Sequence, residues 1–245
     1  MPEMQKVTPP EVTQDYFYKK KVTILQHKKG YRFSVDAPIL ADFLPFCPTG
    51  EALEIGTGCG IISMLALYKK KFLKIHGLEI QDSLIRLAEM NGRENGFSRQ
   101  FQAVQGDFNE IYRDFTGIEH IFSNPPFFET NRGRLSPNQE IRDAKTETRL
   151  SLRQLLEKSY AILAGKGSLY LVLPFSRFRE TMAAAKAVGY FICRLRQVFS
   201  FKDGKPERFL VQLTNYDVSP VKLQPLIIFK EQGVYTDEMD RILTG

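Results

Sequence analysis

The sequence predicts an α/β protein: a mostly parallel sheet with helices on both faces, closed by an antiparallel hairpin. Three observations predict it. From Ala52 onward, short apolar runs alternate with stretches whose apolar residues recur every three or four positions. One strand-to-helix junction carries the glycine-rich turn Gly56-Thr57-Gly58-Cys59-Gly60. Near the end, two β-rich runs flank Lys202-Asp203-Gly204-Lys205-Pro206, and Asp-Gly between such runs is a hairpin signal.

The elements follow in order. Residues 1–49 read as an extension with its own hairpin and a helix over 37–44, packed on the sheet's edge. The expected strands then lie at 52–55, 74–80, 101–107, 120–124 and 168–174. Between them IISMLALYKKK, DSLIRLAEMNGRENG and SLRQLLEKSYAILAGKG carry the helical spacing. Gly92 and Asn95-Gly96 punctuate the second helix, and Gly165 and Gly167 close the third. The hairpin joins 190–201 to 207–216; LIIFK at 226–230 adds a final strand before a terminal helix. A chain of 245 residues suits one domain with small appendages, here 1–49 and 50–245.

Composition narrows the class. With 43% hydrophobic and 25% charged residues, the chain can bury a sizeable core. No apolar run reaches the roughly 18 residues of a membrane span, and the N-terminus lacks a secretory pattern, so a cytoplasmic protein is expected. Cys47, Cys59 and Cys193 are widely spaced, and His27, His76 and His120 have no paired spacing. A disulfide framework and a metal site are therefore not expected. Basic residues exceed acidic ones, 34 against 28, which gives a net charge of +6. The excess is clustered at Lys19–Lys21, at His27-Lys28-Lys29, at Lys69–Lys71, and at Arg132, Arg134, Arg142, Lys145 and Arg149. Solvated faces explain most charge runs, but clustered cations also suit a polyanion such as nucleic acid.

Gly56, Gly58 and Gly60 follow a strand and open a helix. Without Cβ atoms such a turn adopts positive φ and lets backbone approach a ligand. No Lys-Ser or Lys-Thr follows, so a phosphate-binding loop of the P-loop kind is disfavoured. Glu79 ends the next strand, where a carboxylate can accept from both hydroxyls of a ribose; an ordinary solvent-facing strand-end carboxylate is the alternative. Asp107 ends the third strand; it either accepts from an adenine amino group or caps the following helix. Glu54, two residues before the turn, is suited to the cationic part of a ligand. Ribose, adenine and a charged amino-acid tail coexist in S-adenosylmethionine, whereas NAD would require a pyrophosphate site.

The stretch IFSNPPFFE (121–129) completes the set. Two prolines cannot donate to a β ladder, so the fourth strand stops at Asn124. That places Asn124 at the carboxyl edge of the sheet, where open α/β sheets hold ligands. An aromatic amino nitrogen is a poor nucleophile because its lone pair is delocalised into the ring. Two acceptors that hold its hydrogens, the Asn124 side-chain oxygen and the Pro125 carbonyl, would favour a pyramidal nitrogen. Phe127 supplies a ring for stacking, worth about 1–3 kcal/mol per base. A plain strand-ending turn with a core phenylalanine is the alternative.

GTGCG, Glu79, Asp107 and NPPF together resemble the motifs of the amino-methylating S-adenosylmethionine enzymes, across roughly residues 50–175. The resemblance implies a Rossmann-like class I methyltransferase fold with a seven-stranded sheet. Release-factor glutamine N5-methyltransferases and rRNA guanine-N2 methyltransferases share that set. GYRFSVDAPILADF (30–43), AKTETRLSLRQLLEKS (144–159) and the terminal LIIFKEQGVYTDEMDRIL narrow it, because they resemble the bacterial tRNA1(Val) (adenine-N6) methyltransferase family. Phe127 departs from the more usual tyrosine of that family: stacking survives, a phenolic role does not. The resemblance implies Asp36 near the cofactor or target pocket; a helix N-cap before Ala37-Pro38 serves equally as its role. It also implies tRNA as partner. Residues 129–145 read as a polar loop leaving the active site, in which Arg132, Arg134, Arg142 and Lys145 either reach tRNA phosphates or belong to a plain surface loop; a monomer is the default expectation. A non-catalytic RNA-binding module is the rival from another class, and the intact glycines and Asn124 count against it.

Overall fold

The computed structural model describes residues 12–29, 32–125 and 150–245. Its centre is a sheet of nine strands in the order β10-β8-β9-β7-β6-β3-β4-β5, with β11 also paired to β8. The parallel part comprises β3 (Cys47–Ile55), β4 (Phe72–Glu79), β5 (Phe101–Gln105), β6 (Ile118–Ser123) and β7 (Leu163–Pro174). The antiparallel hairpin is β8 (Phe191–Phe199) with β9 (Pro206–Thr214), and β9 also runs antiparallel to β7. These are the seven expected strands. Two further strands of two residues each, β10 (Val221–Lys222) and β11 (Leu226–Ile227), run parallel to β8 and extend the sheet.

Side chains alternate between two cores, as strand geometry requires. On β7, Tyr170 and Val172 enter one core while Leu169, Leu171 and Leu173 enter the other. Both faces of the parallel strands are covered, which is why they read as continuous apolar runs. One face carries α1 (Asp36–Phe43), α2 (Ile61–Tyr68), α3 (Asp82–Glu94) and the terminal α7 (Asp237–Thr244). The other carries α4 (Phe108–Ile111), α5 (Leu152–Ile162) and α6 (Phe178–Val188). Helix α5 starts with a capping box, Ser151 with Gln154, and α6 ends on Gly189 at φ 109°.

Several boundaries differ from expectation, three of them in ways that change how elements pair or where the first segment ends. Helix α5 stops at Ile162 rather than running to Gly167, because Leu163 already pairs with Ile118 of β6. The final strand divides: Leu226–Ile227 joins β8, whereas β12 (Phe229–Glu231) pairs with β13 (Val234–Tyr235). Strand β3 begins at Cys47, so the 49/50 boundary lies inside it.

The N-terminal hairpin of β1 (Val12–Phe17) and β2 (Val22–His27) packs on the helix layer, not on the sheet's edge as the sequence predicts. Two asparagines one turn apart, Asn91 on α3 and Asn95 at its C-cap, stand in for a neighbouring strand. Asn91 Oδ1 accepts from the Leu25 N–H at 2.8 Å, and Asn91 Nδ2 donates to Leu25 O and Cys59 O at 2.9 and 2.8 Å. Asn95 repeats the pattern on Thr23, at 2.9 and 2.7 Å. Side-chain amides thus satisfy backbone groups that a third strand would otherwise meet. The same contacts orient the hairpin: Leu25 lies by the glycine turn, Thr23 by the far end of α3.

Asn91→Ala should strand two carbonyls and one N–H in a buried site, at about 1–3 kcal/mol for each group left unpaired. Urea titration should give a midpoint well below wild type, with an unchanged m-value. A midpoint within error of wild type would remove Asn91 from this role.

Candidate active site

All five parallel strands leave the sheet at one edge, so their following residues gather there. The order reverses between β3 and β6, which makes the space beyond their ends the switch point at which open α/β sheets bind ligands. Gly56-Thr57-Gly58-Cys59-Gly60 lies at the end of β3. Gly56, Gly58 and Gly60 have φ of 71°, 56° and 84°, conformations that L side chains adopt at a cost. A Cβ placed on Gly56 or Gly58 meets nothing within 4 Å, so the turn borders open space. The turn is tied to β4 by the N–H groups of Gly56 and Thr57, both donating to Leu78 O at 2.9 Å.

Glu79 ends β4 and is buried. Its Oε2 accepts from Gly58 N–H at 3.0 Å, and its Oε1 accepts from the N–H groups of Ile80 and Gln81, each at 2.9 Å. The carboxylate expected to meet a ribose therefore also fixes the second glycine of the turn. Asp107 follows β5 and is the N-cap of α4, accepting from Asn109 N–H at 2.8 Å through Oδ1. Capping and ligand contact are compatible, since a carboxylate has two oxygens.

Glu54 is fully enclosed. Its Oε2 accepts from Thr57 Oγ1 at 2.7 Å and from Ser63 Oγ, while its Oε1 is buried without a hydrogen-bond partner among the described residues. Burial pushes its carboxyl up to about 8, against the opposing pull of the two hydroxyls. Sequence reasoning misses Thr57 and Ser63, although a small polar residue inside the apolar helix IISMLAL is a readable signal.

Asn124 follows β6, the strand next to β3 and so about 4.8 Å from it. Ser123 Oγ donates to Ile55 O at 2.7 Å and locks the ends of the two strands together. Asn124 Oδ1 is buried and has no hydrogen-bond partner among the described residues. Pro125 is buried beside it. Phe127, Arg132, Arg134, Arg142 and Lys145 lie outside the described residues.

Asp36 is buried at the start of α1, but the N-cap is Val35, and Asp36 is the first helical residue. The aspartate has other partners: Ser34 Oγ donates to its Oδ2 at 2.8 Å, and Arg208 forms an ion pair with its Oδ1. Burial raises its carboxyl above the usual range, with the Arg208 guanidinium pulling the other way. Arg208 stands opposite Pro174, at the carboxyl end of β7, so this pair also borders the ligand edge. The hairpin turn beyond it presents exposed Phe201, Lys202 and Lys205, with the Phe201 ring 5.6 Å from that of Phe229. Sequence patterning marks this segment only as a turn. Among the described residues no cluster of histidine, cysteine or carboxylate side chains could hold a metal ion. No helix among them is long and apolar enough to cross a membrane.

The family model of the methyltransferase small domain matches residues 32–190. A tRNA1(Val) (adenine(37)-N6)-methyltransferase of Flavobacteriaceae bacterium (strain 3519-10) is 25% identical over 219 residues, covering 89% of this chain and 92% of the relative. The protein of the same name from Parabacteroides distasonis is 27% identical, covering 93% and 95%. Among solved structures, a predicted O-methyltransferase from Agrobacterium tumefaciens superposes with a TM-score of 0.67 at 16% identity, covering 84% of this chain and 94% of that one.

Because Glu54 binds its proton more tightly in the fold than at its ordinary value of 4.5, it favours folding most below about pH 4.5. That contribution is lost as pH rises to about 8. Glu54→Gln should therefore flatten the fall of the melting temperature between those limits, measured by calorimetry against wild type. Parallel curves for the two proteins would show that Glu54 does not titrate in this way.

Proposed function

We propose that this chain, which belongs to the methyltransferase small-domain family, transfers a methyl group from S-adenosylmethionine to the N6 amino group of an adenine in tRNA. The observation that carries the reading is Asn124 Oδ1, an acceptor without a hydrogen-bond partner among the described residues and buried at the carboxyl edge one strand from the glycine turn. A buried amide oxygen left unpaired costs about 1–3 kcal/mol, so a donor belongs there. An exocyclic NH2 is such a donor. The names of the relatives, matched along most of their length, support tRNA and adenine N6 as the target. A cytoplasmic setting follows from that substrate class.

The residues present fit the cofactor. Gly56 and Gly58 border open space in which backbone can lie against its amino-acid portion, and Glu79 and Asp107 stand at successive strand ends for ribose and adenine. Glu54 keeps one buried oxygen open beneath the turn, toward which positive charge is drawn. When bound, S-adenosylmethionine supplies an electrophilic methyl group on a sulfonium.

The rest is done by the chain. Asn124 accepts one hydrogen of the amino group, and the carbonyl of Pro125 accepts the other. Two acceptors that hold its two hydrogens favour a pyramidal nitrogen, whose lone pair is withdrawn from the ring and directed along a single line. Rate is gained by alignment and by acceptors whose demand grows as positive charge develops on nitrogen. The proton is lost after transfer, when the nitrogen is cationic and acidic, so no strong base is required. Phe127 stacks on the adenine.

Asn124→Ala should lower kcat at least about a hundredfold, as loss of a transition-state hydrogen-bonding group does. Cofactor affinity by calorimetry should stay within about tenfold of wild type, since no more than a single hydrogen bond to the cofactor, about 0.5–1.5 kcal/mol, is at stake. Loss of cofactor binding instead would make Asn124 a structural residue. Mass spectrometry of nucleosides from tRNA treated with enzyme and labelled cofactor should find N6-methyladenosine. Label on guanine, or on a protein glutamine and not on tRNA, would replace this reading with one of its rivals.

A further inference from the structure

The lysine triplets Lys19–Lys21 and Lys69–Lys71 are distant in sequence and adjacent in the fold. The ring of Tyr18 stacks on that of Tyr68, with centroids 4.8 Å apart and planes at 13°. Lys69 Nζ stands 5.0 Å from the Tyr18 ring centroid, and Tyr18 N–H donates to Leu243 O at 3.1 Å. Two of the six lysines have internal tasks. Lys69 pairs with Asp42 at 3.1 Å, and Lys71 Nζ donates to the carbonyl oxygens of Asp42 and Leu44, where α1 ends. Lys19, Lys20, Lys21 and Lys70 are exposed, and among the described residues no carboxylate forms an ion pair with them.

The backbone of these turns is unusual. Among the described residues, every non-glycine residue with positive φ belongs to them: Tyr18 at 49°, Lys19 at 55°, Lys20 at 67° and Lys70 at 54°. Glycine or asparagine would occupy such positions at lower cost. A sequence that places lysine there loses stability and gains a projecting, solvated charge. Outliers of this kind cluster at functional surfaces.

The patch is far from the catalytic edge. Helix α2 starts at the glycine turn and ends at Tyr68, about 12 Å away by its eight residues. The hairpin β1–β2 runs alongside, with its turn at the lysines and Leu25 of β2 level with Cys59 of the glycine turn, both bound by Asn91. Six extended residues reach about 20 Å. A polyanion seated at the site can follow this hairpin to the patch.

We infer that Lys19, Lys20, Lys21 and Lys70 form a second binding surface for the phosphate backbone of the tRNA, on a stem remote from the methylated loop. The inference rests on the tRNA reading above. Four clustered cations match the additive attraction of phosphates, and their distance from the site assigns them to affinity rather than chemistry.

The test compares two substrates, full-length tRNA and a short RNA hairpin carrying only the target loop. Lys19→Gln, Lys20→Gln, Lys21→Gln and Lys70→Gln combined should raise KM for tRNA roughly tenfold at physiological salt. The dependence of log affinity on log salt should flatten by about 0.7–0.9 for each phosphate that the variant no longer neutralises. kcat should be unchanged, and KM for the short hairpin should match wild type. Lys20→Asn, at a position asparagine tolerates, should melt at or above the wild-type temperature while still raising KM for tRNA. An unchanged KM and salt slope on tRNA overturn the inference, including the case in which the patch serves a protein partner. A KM that rises only in variants that melt earlier overturns it too, in favour of a structural role. Wild-type enzyme that methylates no tRNA overturns the substrate reading first, and this surface falls with it.

Discussion

Parallel pairing of β3 with β4 and β6 is the constraint on which the rest depends. The register sets Glu54 beside Gly77 on one side and Phe122 on the other, so the strands end nearly level. A parallel strand must be re-entered from the opposite edge, which forces every connection to leave at the same end. The glycine turn, Glu79, Asp107 and Asn124 come from four separate stretches, yet no freedom remains about which edge they share. Ser123, bonded to Ile55 O, adds a side-chain tie at the point where the two central strands finish.

The acids at that edge have structural partners as well as the ligand contacts proposed for them. Glu79 accepts three backbone N–H groups, and Asp107 accepts one. A turn rich in glycine is costly to hold still, since glycine loses the most conformational freedom on folding. Charge-assisted hydrogen bonds from Glu79 to Gly58, Ile80 and Gln81 offset part of that cost and leave the site organised in advance. Glu54 works from below through Thr57 and Ser63. Burial raises its affinity for a proton, and its Oε1 has no hydrogen-bond partner among the described residues.

The helix layer bearing α2 and α3 is asymmetric in a way that bears on substrate size. Asn91 and Asn95 hold a hairpin over it, and that hairpin carries cations at both ends. The three left-handed residues of its turn cost about 1–2 kcal/mol each. The buried ring of Tyr18 against Tyr68 offsets part of this. Arg208 with Asp36 closes the other flank, joining the start of α1 to the hairpin of β8 and β9.

Local chemistry is sufficient for much of this. Alternation of apolar runs with helical spacing reveals the succession of strands along the chain, and glycine at 56, 58 and 60 marks a turn that requires positive φ. Proline after Asn124 marks where β6 must end. These are properties of short stretches, and short stretches carry them without their neighbours. Tertiary structure alone decided which distant groups meet: Arg208 with Asp36, Asn91 with Leu25, one lysine triplet with the other. It also moved the N-terminal hairpin from the sheet's edge to the helix layer and split the last strand in two. Such pairings are set by packing across the whole chain, and a side chain's own type and spacing hold no record of the partner that folding will bring to it.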